Sequence, residues 1–367
     1  MILTSAAMVS ALALAACNGA TDEAETAAIS DVVVEHGGSA NDYAFVWEGD
    51  APVTIEVSTD PGFAPGSGQT IGTFEGGTAT WSATGDPTRR YFFVSTEAGD
   101  AQRAAVRLLP LKGGRNFRDI GGYETADGSH VKWGRVYRSG VMAKLTDEDY
   151  DYLGDLGITT VCDFREADER ESEPTKWAAG EIEYLTFAPP RQEDQAQNPM
   201  FAAFANPEST PDDVRQAMAA GYPGILEQED EGYTAMFDQL AAGNIPLAFN
   251  CSAGKDRAGT AAALLLTALG VPQETVVEDY ALSDDYVDYM AEFTSPEAQE
   301  DAKDGPYAFL AQLPREMVAP LMESNPIYIE TTLAAMAEKH GNALDYIKAE
   351  FDVTDEELAA IRAQLLE

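Results

Sequence analysis

Positive charge is what this chain has least of. Against 63 Asp and Glu there are 23 Lys and Arg, which leaves a net charge of −40. A surface of that sign repels nucleic acid and anionic membranes and excludes both as general partners. It suits a salty medium, with a specific cationic partner as the alternative. Cysteine is also scarce: Cys17, Cys162 and Cys251 are too few for a disulfide framework. The three histidines (His36, His130 and His340) lie far apart without ligand spacing, so no metal site is expected. After the first sixteen residues no apolar run has the length of a transmembrane helix.

The few cations are unevenly placed. None precedes Arg89, and they crowd between Lys112 and Arg191. A locally basic pocket in an acidic protein suits an anionic substrate, although any single Arg could equally pair with a surface carboxylate.

Four stretches follow one another. Residues 1–17 are small and apolar, with the length of an export signal rather than a membrane span. Residues 18–37 are acidic and rich in Ala and Thr, and read as a solvated tether. Residues 38–110 alternate short β-prone runs (YAFVWEG, VTIEVST, TATWSAT, YFFVSTE, AAVRLLPL) with Gly, Pro and Asp turns, which predicts a small β-sandwich. It reads as a spacer or docking module of unknown partner, with Trp47 and Trp81 in its core. Residues 111–367 alternate buried-strand and helix patterns, which predicts an α/β unit with a central sheet flanked by helices. Within it, 145–156 reads as a helix capped by Thr146, and His130–Tyr137 and Ile158–Phe164 read as strands. Residues 198–243 read as helices that could cover a site.

The rest is organised around 245–269, IPLAFNCSAGKDRAGTAAALLLTAL. An apolar strand leads into a small-residue loop, and the loop into an Ala- and Leu-rich helix. Loop N–H groups and the positive end of the helix dipole then point at one spot, the arrangement that cradles a phosphate. The same field favours a thiolate at Cys251. Arg257 can hold two phosphate oxygens at once. Arg165 sits just past a strand's C-terminal end, where open α/β sheets bind ligands.

This loop resembles the signature of cysteine-dependent phosphatases. Its Lys255-Asp256 pair is similar to the atypical bacterial tyrosine and phosphoinositide phosphatases. GRNFRDIGGY at 114–123, GRVYRSG at 134–140, LGITTVCDFR at 156–165 and the tail at 352–367 follow in the same order. The resemblance implies a cysteine-phosphatase fold after a sandwich similar to fibronectin type III. It implies hydrolysis of phosphate monoesters (phosphotyrosine, phosphoserine or phosphothreonine, or phosphoinositide) through a phosphocysteine on Cys251. Asp256 is then the proton donor, and Arg257 with the loop amides of Ser252, Ala253 and Gly254 the phosphate cradle. Lys255 would meet a second anionic group. Arg118, Asp119, Arg138 and Arg165 would lie at the site as substrate contacts or as fold-holding groups. No metal or organic cofactor is implied, because Arg257 and the loop dipoles supply the positive charge. Two positions depart from the family: Asn250 replaces the usual His and Ala258 the usual Thr, which implies a slower enzyme. A phosphate-binding protein without catalysis and a rhodanese-like sulfurtransferase are the alternatives. Cys162 reads as inert core, with a protective disulfide to Cys251 as the other reading. Leu14-Ala15-Ala16-Cys17 resembles a bacterial lipobox, which implies lipidation at Cys17, export to the periplasm or cell surface, and membrane contact only through that anchor. Asn18 would favour outer-membrane sorting.

Overall fold

The computed structural model of the chain describes residues 29–188, 199–296 and 308–367. The expected signal, Cys17 and most of the expected tether lie outside the described residues.

Seven strands build the N-terminal unit: β1 (Ser30–His36), β2 (Asp42–Glu48), β3 (Val53–Ser58), β4 (Gln69–Phe74), β5 (Thr78–Ser82), β6 (Tyr91–Thr96) and β7 (Ala101–Ala105). They form two antiparallel sheets, β1-β2-β5 and β4-β3-β6-β7. Side chains alternate across each strand, so one set from each sheet meets its counterpart. Val34, Phe45 and Trp47 pack on Val53, Ile55, Phe92 and Val94, while Trp81 is only partly buried against them. Phe45 and Phe92 meet edge to face with ring centroids 4.9 Å apart. The tether is shorter than the sequence suggests, because β1 already occupies 30–36. Val32 and Val34 alternate inward there, a period of two too brief to stand out beside the acidic residues before it.

The second unit has five strands and fourteen named helices among the described residues. Its strands are β8 (Arg118–Asp119), β9 (Val136–Ser139), β10 (Thr160–Asp163), β11 (Glu183–Thr186) and β12 (Leu247–Asn250). The helices begin with α1 (Asp147–Gly154), α2 (Ala167–Ser172), α3 (Pro199–Ala205), α4 (Pro211–Gly221) and α5 (Gly224–Gln228). There follow α6 (Asp230–Ala242), α7 (Arg257–Leu269), α8 (Gln273–Ala281), α9 (Ser283–Tyr286) and α10 (Tyr289–Phe293). The last four are α11 (Arg315–Met322), α12 (Pro326–His340), α13 (Ala343–Glu350) and α14 (Asp355–Leu365).

The strands run in the order β11-β10-β12-β9-β8, parallel except for β8. The strand expected over 130–137 is displaced to Val136–Ser139. Gly134 has φ +74°, which interrupts the extended run, and Val131 makes only an isolated bridge to Leu366. In register, Asp163, Asn250 and Ser139 stand side by side at the strands' C-terminal ends. Every chemical group discussed below is hung from that edge or packed behind it.

Helices cover both faces. On one lies α7, buried at every residue from Ala258 to Leu266, as a helix apolar all round must be. Its leucines each contribute about 2 kcal/mol by leaving water. On the other face Leu153, Leu156 and Met142 pack on Val161, Tyr137 and Ala248. Helix α1 begins as its sequence predicts, with Thr146 as N-cap and Asp149 closing a capping box. Asp149 does more than cap. Its carboxylate also accepts the N–H groups of Lys112 and Gly113 at 2.7 and 2.8 Å, fixing the segment that leads to β8.

Asp149→Ala should therefore lower the unfolding free energy by about 2 kcal/mol at pH 7. Burial opposes ionisation of Asp149, but the N–H groups of Thr146, Gly113 and Lys112 outweigh it and lower the pKa. Its contribution is thus complete above the unfolded-state value near 3.8 and fades as pH falls through the depressed folded value. Urea titrations should show the wild-type advantage shrinking toward pH 3, and a constant gap would refute the assignment.

Candidate active site

The chain leaves β12 at Asn250 and enters α7 at Arg257, and the six residues between turn around one sulfur. Cys251 is 1% exposed, and its Sγ accepts the N–H of Gly254 at 3.2 Å. Gly254 has φ +74°, and a Cβ there would lie 2.5 Å from the Gly140 nitrogen, so glycine is required twice over. The loop's carbonyls are drawn outward. Gly254 O accepts from Arg138 Nη2 and Asn116 Nδ2, both at 2.9 Å. Ser252 O accepts from Val141 N at 2.9 Å, and Ala253 O from Tyr289 OH at 2.9 Å. With the carbonyls engaged outside, the N–H groups of Ser252, Ala253, Lys255 and Asp256 have no partner among the described residues. Free amides beside a helix N-terminus form an anion cradle.

Arg257 overhangs this cradle in a fixed pose. Its Nη1 and Nη2 each donate to a Glu169 carboxylate oxygen at 2.7 Å, and Nη1 also donates to Phe164 O at 3.1 Å. A guanidinium has five N–H bonds. Those contacts use three and leave Nε–H and one Nη2–H, which form a single fork for an incoming oxyanion. Glu169 stands on α2 and also accepts from Ser252 Oγ. Burial works against its charge, but Arg257 and Ser252 prevail and hold its pKa to about 2. Sequence reasoning missed Glu169. The signal was a run of acidic residues directly after Arg165, indistinguishable there from a solvated helix face.

Arg138 and Arg118 are brought behind the loop rather than into it, both 0% exposed. Arg138 donates to Asp279 Oδ2 at 2.7 Å as well as to Gly254 O. Arg118 donates to Asp279 O at 2.8 Å and to Asn116 Oδ1. Asp279 is therefore shared by two guanidiniums, whose charges overcome its burial and lower its pKa. Gly259 makes room for this: a Cβ there would stand 2.9 Å from Arg138 Nη2. Arg165 pairs with Asp163 at 2.7 Å and donates to Glu173 O and Thr175 Oγ1. Asn250, in the place of the family's His, donates to Asp163 at 3.1 Å. Of the two readings of these three arginines, the geometry favours positioning over substrate contact.

Asp119 is not brought to the loop. Its carboxylate accepts from Arg89 of the β-sandwich at 2.9 Å and from the Gly121 and Gly134 N–H groups. Its place in the sequence gives no hint of a partner thirty residues upstream. Lys255 is 4% exposed at its side chain, and Nζ donates to Leu321 O at 2.6 Å and Glu323 O at 3.1 Å, at the end of α11. It clamps that helix instead of facing solvent. Asp256, 31% exposed at its side chain, accepts from Tyr222 OH at 2.5 Å. Tyr222 OH in turn meets Tyr280 OH. Glu229, at the start of α6, is 1% exposed with neither carboxylate oxygen hydrogen-bonded among the described residues, and burial pushes its pKa up to about 7. Cys162 lies in β10 as a free thiol, and burial raises its pKa to about 12. Among the described residues no group of three or more His, Cys, Asp or Glu is arranged to hold a metal ion.

Known proteins share the part of the chain that carries this site. The profile of the tyrosine phosphatase family matches residues 109–367. A protein of Cupriavidus necator, provisionally named a tyrosine-protein phosphatase, is 31% identical over 251 residues, or 68% of this chain and 85% of its own. The triple specificity protein phosphatase of Mycobacterium tuberculosis is 31% identical over 202 residues, covering 50% of this chain and 71% of its own. A tyrosine-protein phosphatase of Nostoc commune is 31% identical over 153 residues, 41% of this chain and 49% of its own.

Glu169→Gln keeps the shape of the Arg257 clamp and removes its charge. Oxyanion binding should weaken by about tenfold, read as the inhibition constant of inorganic phosphate or vanadate. Because Glu169 stays ionised at all pH values above about 2, the deficit should be flat from pH 5 to 8. Tighter binding in the variant would mean that Glu169 blocks Arg257 instead of aiming it.

Proposed function

The chain belongs to the tyrosine phosphatase family, and from that premise we propose that it hydrolyses phosphate monoesters, phosphotyrosine foremost, through a phosphocysteine on Cys251. That it is a phosphatase follows from the family. The observation that carries the mechanism is the sulfur lying under the Gly254 N–H inside a ring of free amides, with the open fork of Arg257 at its rim.

In the first step Cys251 Sγ attacks phosphorus, the S–P bond forms and the P–O bond to the leaving group breaks. The three equatorial oxygens meet the loop amides and Arg257, which are already aimed before substrate arrives. Asp256 gives its proton to the departing oxygen. Tyr222 OH donates to Asp256 at 2.5 Å and the Lys255 ammonium stands 3.6 Å away, which holds the carboxyl group in place beside the loop. In the second step water attacks the phosphocysteine, releasing inorganic phosphate and the thiolate. Ala258 offers no hydroxyl to that thiolate as it leaves, which slows this step.

Lys255 favours phosphotyrosine over phosphoinositide. With its ammonium spent on Leu321 O and Glu323 O, it offers no second phosphate contact unless α11 withdraws. Phosphoserine and phosphothreonine remain within reach of the same chemistry. The three-plus-four strand order supports reading the N-terminal unit as fibronectin type III-like. Lipidation at Cys17 would tether the enzyme to a membrane outside the cytoplasm, with the outer membrane as the destination.

Residues 18–367 should release phosphate from a phosphotyrosine peptide faster than from a phosphoinositide, with EDTA present. Cys251→Ser should lose turnover while still binding vanadate. Undiminished turnover in that variant would overturn the mechanism. Binding without release by the wild-type chain would make it a phosphate-binding protein.

A further inference from the structure

The groups that hold the signature loop are not confined to the unit that contains it. Arg89, just before β6 in the sandwich, is 3% exposed and reaches across to Asp119, itself 0% exposed. Burial acts against the Arg89 charge, and Asp119 more than offsets it. The chain leaving the sandwich then runs alongside β8. Leu109 N donates to Phe117 O at 2.9 Å, Asp119 N to Arg107 O at 3.0 Å, and Arg107 Nη1 to Asp119 O at 2.9 Å. Tyr91 OH and Tyr137 OH meet at 3.5 Å across the same boundary. The sandwich is thus no loose spacer.

Strand β8 is two residues long, and consecutive residues of a strand point to opposite faces. Asp119 faces Arg89. Arg118 faces Asp279 and Asn116, and Asn116 Nδ2 holds Gly254 O at 2.9 Å. In register, Arg118 lies opposite Arg138, whose Nη2 donates to Gly254 O directly. One short edge strand therefore carries the grip of the sandwich on one side and the support of the loop on the other.

We propose that Arg89 is a positioning residue of the phosphatase site, and that the sandwich acts through it to keep the Gly254 carbonyl turned outward and the loop amides aimed at phosphate. This rests on the reading of Cys251–Arg257 as the phosphate site. Arg89 touches no reacting atom. Its removal leaves a buried carboxylate with two backbone N–H partners and no counter-charge, beside the residue whose side chain supports the loop.

The test uses the chain with both units, comparing wild type, Arg89→Met, Arg89→Lys, Asp119→Asn, the Arg89→Met/Asp119→Asn double variant and Arg103→Met. Arg103 also bridges the units, through its ion pair with Glu367 at 3.2 Å, but does not touch β8, so it reports on loosened docking alone. Arg89→Met should lower kcat by about tenfold and weaken vanadate inhibition by a similar factor, with KM changed less than about threefold, because aimed amides matter most in the transition state. Arg89→Lys should recover part of the loss, and the double variant should be no worse than the worse single. If Arg89→Met does not fold, Arg89→Lys and Asp119→Asn carry the same comparison. Wild-type kcat in folded Arg89 and Asp119 variants, or an equal loss in Arg103→Met, would overturn the proposal. If Cys251→Ser turned over like wild type, the site assignment would fail instead.

Discussion

Two buried guanidiniums share one aspartate, and the loop takes its shape from that arrangement. Arg118 and Arg138 cannot both be neutralised by Asp279 alone, and further Nη donors of theirs turn to neutral oxygens in the interior. They find them in Asn116 Oδ1 and in the carbonyls of Asp279, Gly254 and Lys255. A loop whose carbonyls are claimed from behind has its amides left over in front. The amides in front are the complement of a buried charge imbalance, and the deep burial of both arginines is a condition of them.

The sheet explains why these groups coincide. Its parallel strands end at one level, so Ser139, Asn250 and Asp163 each hand on to a segment that borders the cradle. Gly140 packs under Gly254, Cys251 follows Asn250, and Phe164 supplies a carbonyl to Arg257. Helix α2, arriving right after β10, then brings Glu169 against the guanidinium. The order is set by backbone pairing, and the chemistry is read out at the ends of the strands.

What the sequence made legible was what lies close together along it. The passage from β12 through the loop to α7 could be read because strand, loop and helix succeed each other within twenty-five residues, each with its own composition. The Thr146 cap was legible for the same reason. Glu169, Tyr222 and Asp279 could not be seen, since each meets the loop or its supports only through a partner tens of residues away. Arg118 and Asp119 are instructive neighbours. The motif announced both, but only the fold turns one toward the loop and the other toward a different unit. Lys255 sat in the loop by sequence, yet its length lets Nζ leave for carbonyls on α11.

The buried contact between Arg89 and Asp119 bears on how such a chain can have arisen. Modules joined by a flexible linker can be exchanged during evolution, because neither has specialised around the other. Here the sandwich has surrendered a charged side chain to its neighbour's interior, and the neighbour has left a carboxylate to receive it. Recombination that replaced the sandwich with an unrelated domain would break the pair at one stroke. A domain put in its place would have to bring an equivalent cation, or leave Asp119 buried without one.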